Sequence, residues 1–518
     1  MKRASIYIIL IATFLTFFSC ENEFEITDPN RLSSEQFYSN QDQAIASVDA
    51  IYNALIIDGL YMRMTPIYGD GRSDLVGARS PWVFLTGLSN FTVPQTDAAL
   101  EIFWAGYYIM ISRANQALEN VPEIAEVDDD LRDRLLGQAY FLRALAYFNL
   151  TNVHDNVPLL LEVPKGEEAF YPSNADVTQE QIYAQIISDL EMAIDMLPRD
   201  YNDVTGPDQG QVGRATWGAA QSLLGKVKLY QGDYPGALPH FEQVVTSNLY
   251  DLAPNYADLF SQDPAVEQAN PGKIFWAEFT QSANSAFNWG GDPSVNWRQF
   301  CALAPTYSVA DFYDFFPTQF LYNEMRQELT VDGTLDPRYH ATILSYELSE
   351  GYTTAYGQDW TNFGYPLDAF YIKKYTLAAT GGDPFTSGIN YHIIRFADVL
   401  LMYAECLANT GNIPLAAQQV QRVRNRANLP DRTSEFAALD LEGFMDQISH
   451  ERIMELSVEG LRWYDIKRWG WLEDSNKLAE LQANDPEFST FTPNREYMPI
   501  AQTELDRNPS LVGNIAND

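Results

Sequence analysis

Residues 451–470 (ERIMELSVEGLRWYDIKRWG) constrain this chain more than any other stretch. Glu451, Glu455 and Glu459 recur every four residues, so on a helix they share one face. Three carboxylates in a row repel one another unless cations meet them. Arg452, Arg462, Lys467 and Arg468 follow in the same stretch and are the expected partners. Gly460 suits a left-handed helix cap. Trp463, Tyr464 and Trp469 come next, interleaved with Arg462, Asp465 and Arg468. One reading is a carboxylate cluster for acid–base chemistry. The other is a partly buried ion network that pins a helix to a core. The second is favoured, because buried charges are paired as a rule and the partners here are local. The stretch thus predicts a clamp made of Glu451, Glu455, Glu459, Arg462, Trp463, Asp465 and Arg468.

The first residues address the chain. Lys2 and Arg3 precede a mostly apolar run, Ile6 to Phe18, which is too short to span a bilayer and suits a signal-peptide core. The run ends in Ser19-Cys20, which resembles a lipobox whose Cys20 becomes the lipid-modified first residue. Glu21, Glu23, Glu25 and Asp28 follow, either as a surface-export signal or as an acidic tether. The expected division is a signal peptide over 1–19, a tether over 20–33 and one domain over 34–518. Of the remaining cysteines, Cys406 fits a helical core, and a bridge to Cys301 is open. With 33 basic and 70 acidic residues the net charge is −37, which repels phosphate backbones and argues against nucleic acid.

Between the ends, helical periodicity dominates. Helices are expected over Ser34 to Asn53, Ala98 to Asn120, the residues after Asp128, and Asp176 to Leu197, the last capped by Asp176 or Thr178. Gly213 to Phe241 reads as a tetratricopeptide-like helix pair, with Gly225, Gly232 and Ala237 as the small residues at its crossing and turn. A second copy, Phe396 to Ala427, is too far along the chain for a tandem array. Tyr61 to Thr92 and Tyr250 to Asn390 are rich in Gly, polar and aromatic residues and read as irregular loop, with short extended runs at Lys273 to Phe279 and Ala369 to Tyr375. The predicted fold is therefore mostly α: a solenoid scaffold over 34–249 and 391–470, a loop-rich region over 250–390, few short strands, and a tail over 471–518.

Several stretches together resemble the SusD/RagB-like family of nutrient-binding outer-membrane lipoproteins. They are residues 451–470, Ala139 to Pro158, Gly213 to Leu238, Asp336-Pro337-Arg338, Ile394 to Glu405, Val423 to Pro430, and the tail from Met498 to Pro509. Asp398 stands where the family has Glu more often, and Ile466 where it has Leu. The resemblance implies a tetratricopeptide-like scaffold with an irregular ligand-binding face. It implies a lipoprotein held in the outer membrane through Cys20 and facing the cell surface. It implies a lid on a SusC-like TonB-dependent transporter that captures an oligosaccharide, or in some members a peptide, without breaking a bond and without a cofactor.

Sugar recognition needs an aromatic face for the C–H side of the ring, with amides, carboxylates or Arg for the hydroxyls. Two loop stretches have that composition. One offers Arg72, Asp74 and Trp82; the other offers Asn288, Trp289, Asn296, Trp297 and Arg298. Trp360 is a weaker candidate, while Trp104, Trp217, Trp463 and Trp469 lie in helical patterns and read as core. Asp70, Ser73 and Asp74 hint at a cation, but the rest of an EF-hand loop is missing. Nothing in the motifs favours an enzyme. None of the five histidines has metal-ligand spacing, and no H-E-x-x-H, G-x-S-x-G, Walker or dinucleotide motif occurs. A surface glycoside hydrolase is the alternative, since among so many carboxylates a pair at glycosidase spacing is expected by chance.

Overall fold

Helices packed in series frame the molecule. The computed structural model describes residues 37–79, 82–280, 301–377 and 387–514. Gln41–Ala54 packs on Ala98–Asn120, and that helix on Asp129–His154. The series continues through Gln179–Met196, Trp217–Tyr230, Tyr234–Thr246, Phe396–Asn409 and Ile413–Arg426. The sequence marks their starts. Asp128 accepts from the backbone N–H groups of Asp130 and Leu131, Thr178 and Gln181 form a reciprocal capping box, and Thr216 accepts from Ala219 N–H. Each such cap is worth about 1 kcal/mol. Asn40 caps Gln41–Ala54 by accepting from Gln43 N–H, and the start expected at Ser34 lies outside the described residues.

The two tetratricopeptide-like pairs are neighbours in space. Within the first, a side chain at Gly225 would begin only 2.7 Å from the Phe241 ring, so only glycine allows this crossing. Tyr234–Thr246 then packs directly on Phe396–Asn409. Distance along the chain had argued against an array. In fact the frame is continuous, and residues 247–395 are inserted into it. Short antiparallel strands stitch the insertion down. Lys273–Ala277 pairs with Tyr391–Arg395, Val76–Ala78 with Phe315–Pro317, and Ile343–Ser345 with Phe370–Ile372. The chain thus re-enters the frame at Tyr391 through a strand, and the helix begins only at Phe396.

Tyr61 to Thr92 is not surface loop. Met64–Asp70 is a helix with every residue buried, and Val83–Ser89 is another helix. Arg63, Asp70, Arg72 and Asp74 in it are buried, and each finds a partner. Asp70 accepts from Gly460 N–H at 2.9 Å and from the Tyr307 hydroxyl at 2.8 Å. Burial pushes the Asp70 carboxyl up to about 7 against those two bonds. Asp74 accepts from Arg462 at 2.8 and 3.0 Å.

The C-terminal motif corrects two local expectations. First, the helix Leu441–Leu456 stops before Gly460. Val458 and Gly460 take φ of 61° and 68°, so Glu459 sits in a turn rather than on the helical stripe. The turn brings two backbones into contact: a Cβ at Gly69 would lie 2.0 Å from the Gly460 carbonyl oxygen. Second, the carboxylates are not paired with the motif's own cations. Glu451 accepts from Arg338 at 2.6 Å and Arg424 at 3.3 Å. Glu455 accepts from Arg395 at 2.7 Å, Arg426 at 2.5 Å and Arg338 at 3.2 Å. Glu459 accepts from Arg395 and from Lys374, each at 2.9 Å. The local cations reach elsewhere: Arg452 to Asp398 and Asp465, Arg468 to Glu405 and Asp465, Arg462 to Asp74. The inward face of the helix Leu441–Leu456 meets segments far away in sequence, so the partners come from there.

The network is buried. Arg338, Glu451 and Glu455 are 0% exposed. Burial alone would raise Glu455, but Arg426, Arg395 and Arg338 hold it far below the usual carboxylate range. The motif's Trp463 is buried too, with the Arg72 guanidinium 4.1 Å from its ring centre. Cys301 and Cys406 are both free and buried, so no bridge joins them.

Two outcomes follow from this packing. Glu455→Ala leaves three buried guanidinium groups short of a carboxylate and should cost about 3–5 kcal/mol, read as a lower urea midpoint or melting temperature. The second concerns His450, on the same helix, whose Nδ1 lies 2.7 Å from Glu324 and whose Nε2 lies 3.8 Å from Glu328. Burial lowers His450, yet these carboxylates outweigh it and raise the imidazole to about 9. Because the folded value is raised, this stabilisation is complete below pH ~6.5 and disappears as pH rises through about 9. The stability difference between the native chain and His450→Gln should therefore shrink across that window, and a constant difference would contradict the assignment.

Candidate functional site

The sequence-derived candidates scatter when folded. Arg72 and Asp74 are 3% and 0% exposed. Arg72 donates to the backbone carbonyls of Arg495 and Glu496, and Asp74 is held by Arg462 and Asn484. Both are therefore withdrawn as ligand contacts: their charges serve the core. Asp70, Ser73 and Asp74 are likewise engaged within the core, and no acidic or His/Cys group among the described residues is arranged to hold a metal. Trp360 is fully buried, its indole N–H donating to the Tyr365 and Pro366 carbonyls at 3.2 and 3.3 Å. Asn288, Trp289, Asn296, Trp297 and Arg298 lie outside the described residues.

Trp82 alone of the described candidates lies at the surface. It precedes the helix Val83–Ser89 and is half-buried. The Arg63 guanidinium sits 4.6 Å from its ring centre, itself paired with Asp58 at 2.5 Å, so the indole rests on a fixed cation. Arg79, exposed at the end of the strand Val76–Ala78, lies 4.5 Å from the ring centre of Tyr313, and its N–H donates to Asp314 O. Tyr313 takes φ +49° and meets Tyr371 edge-on at 5.4 Å. Phe312 beside it is 44% exposed.

Behind Tyr313 lies an aromatic bank that sequence reasoning missed. Phe363 and Tyr365 stack at 5.3 Å, Tyr365 meets Tyr371 at 5.0 Å, and Tyr356 meets Phe363 at 6.2 Å. Trp360 is its buried keystone. The signal was present as aromatic density over residues 346–371. Without a helical or alternating period, however, nothing in the sequence says which rings face outward.

Hydrogen bonds tie segments of the insertion to one another and to the stretch after Tyr61. Ala302 N–H donates to Met62 O, next to Arg63; Cys301 N–H donates to Ser387 O; and Ser308 Oγ donates to Leu377 O. Arg79 and Tyr313 thus stand side by side, a guanidinium on a ring face, with exposed Phe312 next to Tyr313 in sequence, while Trp82 rests separately on Arg63. Such an arrangement can stack on an apolar face and hydrogen-bond its rim.

Comparison with known proteins is decisive for ancestry. The profile of the SusD family matches residues 272–516. A second, described as starch-binding associating with outer membrane, matches residues 29–229. The chain belongs to the SusD/RagB-like family. SusD-like protein P25 of Formosa agariphila is 26% identical over 97% of this chain and 97% of its own length. A SusD superfamily protein from Bacteroides vulgatus superposes with a TM-score of 0.77 at 25% identity, covering 92% of this chain and 99% of that one. A laminarin binding SusD-like protein superposes with a TM-score of 0.71 at 26% identity, over 93% and 100% of the two chains. The SusD-like frame thus accounts for nearly the whole molecule. Among the described residues no helix is long and apolar enough to cross a membrane.

The buried and half-buried tryptophans should separate cleanly. Trp360→Ala should cost about 3–5 kcal/mol in chemical denaturation. Trp82→Ala should cost less than Trp360→Ala, because its ring is only half-buried.

Proposed function

We propose that this SusD-like protein captures a neutral oligosaccharide at the cell surface and delivers it to a SusC-like TonB-dependent outer-membrane transporter. The observation that carries this reading is the exposed Arg79 on the half-buried Tyr313 ring beside exposed Phe312, with half-buried Trp82 close by in sequence, in a chain alike over its length to a laminarin binding SusD-like protein. Ring faces beside a guanidinium suit a sugar, and the net charge of −37 disfavours an anionic ligand. The lipid on Cys20 anchors the protein, and residues 20–33 act as its tether. Capture without cleavage is the reading, and the carboxylates of the C-terminal motif, Glu451, Glu455 and Glu459, are taken up by arginines and a lysine. The family description associating with the outer membrane supports the location.

Calorimetric titration against neutral oligosaccharides is the test, with peptides as a second panel. Saturable binding to a glycan, weakened about tenfold or more by Trp82→Ala, with no new reducing ends released, is expected. Steady release of reducing ends would make the protein a hydrolase, and binding confined to peptides would overturn the glycan assignment.

A further inference from the structure

A second cleft opens away from the Trp82 face and shares none of its residues. It measures about 840 Å³ and lies where the loop over 199–216 meets the strand Lys273–Ala277 and its continuation. That volume is in the range of small-molecule sites. Trp276 projects into its lining half-buried. Lys273 Nζ holds the indole at 4.1 Å from the ring centre, and Gly213 flanks it closely enough that a Cβ there would lie 3.4 Å from the ring. Lys273 is itself neutralised by Glu267 at 2.6 Å.

The rest of the lining mixes charges, Arg199 over the Trp217 ring, Arg214 paired with Asp49, Asp200 accepting from Asn202, and Glu278, with neutral amides from three separate segments: Asn202, Gln262, Gln268, Asn270 and Asn390. Asn390 accepts from Phe279 N–H at 2.7 Å and Asn270 Oδ1 accepts from Gly272 N–H at 2.9 Å, so both amides are fixed. Three polar atoms in this wall, however, have no hydrogen-bond partner: Trp276 Nε1, Asn270 Nδ2 and Gln262 Oε1. A buried polar atom without a partner costs about 1–3 kcal/mol. Three in one wall call for an explanation.

The set selects a class of ligand. Two of the atoms are donors and one is an acceptor. An anion leaves the acceptor unmet, and a cation leaves the donors unmet. A hydroxyl both donates and accepts, reaching these closed atoms once their side chains turn toward the cleft, and it brings no charge into a lining whose Arg214 and Lys273 are already paired. We propose that this cleft is a second sugar-binding site, taking a short neutral oligosaccharide against Trp276. It is independent of the Trp82 face, which could fail as a glycan site without affecting this one.

The full chain labelled with 15N at the tryptophan indoles tests it, because each indole N–H reports separately and Trp276→Phe assigns its own signal. The probes are neutral trisaccharides of glucose, galactose, mannose and xylose, with a uronic-acid and an amino-sugar trisaccharide as charged controls. A neutral trisaccharide should shift the Trp276 signal saturably, in the native chain and equally in Trp82→Ala. In the Trp82→Ala background, Trp276→Phe keeps the ring but removes the N–H and should weaken calorimetric binding about tenfold. No shift at Trp276 with any neutral probe at millimolar concentration overturns the proposal. So does a shift that vanishes in Trp82→Ala, or one produced as strongly by a charged control. The Trp82 signal in the same spectra reports the other site, so the two readings fail separately.

Discussion

The fold depends on a buried exchange of charge between segments that are remote in sequence. Glu451 and Glu455 enter the core on one helix and Glu459 on the turn after it. Five cations, Arg338, Arg395, Arg424, Arg426 and Lys374, converge on them from four other places. Each group alone would be costly to bury, and removing any one strands the others. The network therefore acts less as a source of stability than as a condition of register. The insertion, the second helix pair and the C-terminal motif must all arrive before any of these charges is satisfied.

A second exchange ties the N-terminal part to the same motif. Asp70 and Asp74 dock on Gly460 and Arg462, and the contact of Gly69 with Gly460 sets their distance. Lys226, in the first tetratricopeptide-like pair, shares Asp398 with Arg452. The helical frame, the polar stretch after Tyr61 and the C-terminal motif are thus joined by charge, and the aromatic face and the Trp276 cleft are left to the surfaces that these joints do not consume.

Much of this was legible in the sequence. The frame helices, their caps and the close packing at Gly225 follow from period, capping residues and small residues at fixed spacing. The carboxylates of the motif at Glu451 are buried and ion-paired. The pairing partners do not follow, because an ion pair across the core leaves no local trace: Arg338 and Glu451 are brought together only by the completed fold. For the same reason Arg72 and Asp74 looked like surface polar residues among glycines, whereas their partners lie near the other terminus. The aromatic bank around Trp360 was equally hidden, since irregular backbone carries no period from which to infer which ring is buried.

The central claim is that the carboxylate cluster holds the fold while the ligand meets aromatic surfaces. A crystal structure of the protein with a bound glycan tests it most directly. The account predicts sugar density against Trp82 and its neighbours, with the contacts of Glu451, Glu455 and Glu459 to their arginines and lysine unchanged. Sugar seated among those three carboxylates, with the ion pairs opened to admit it, would contradict it.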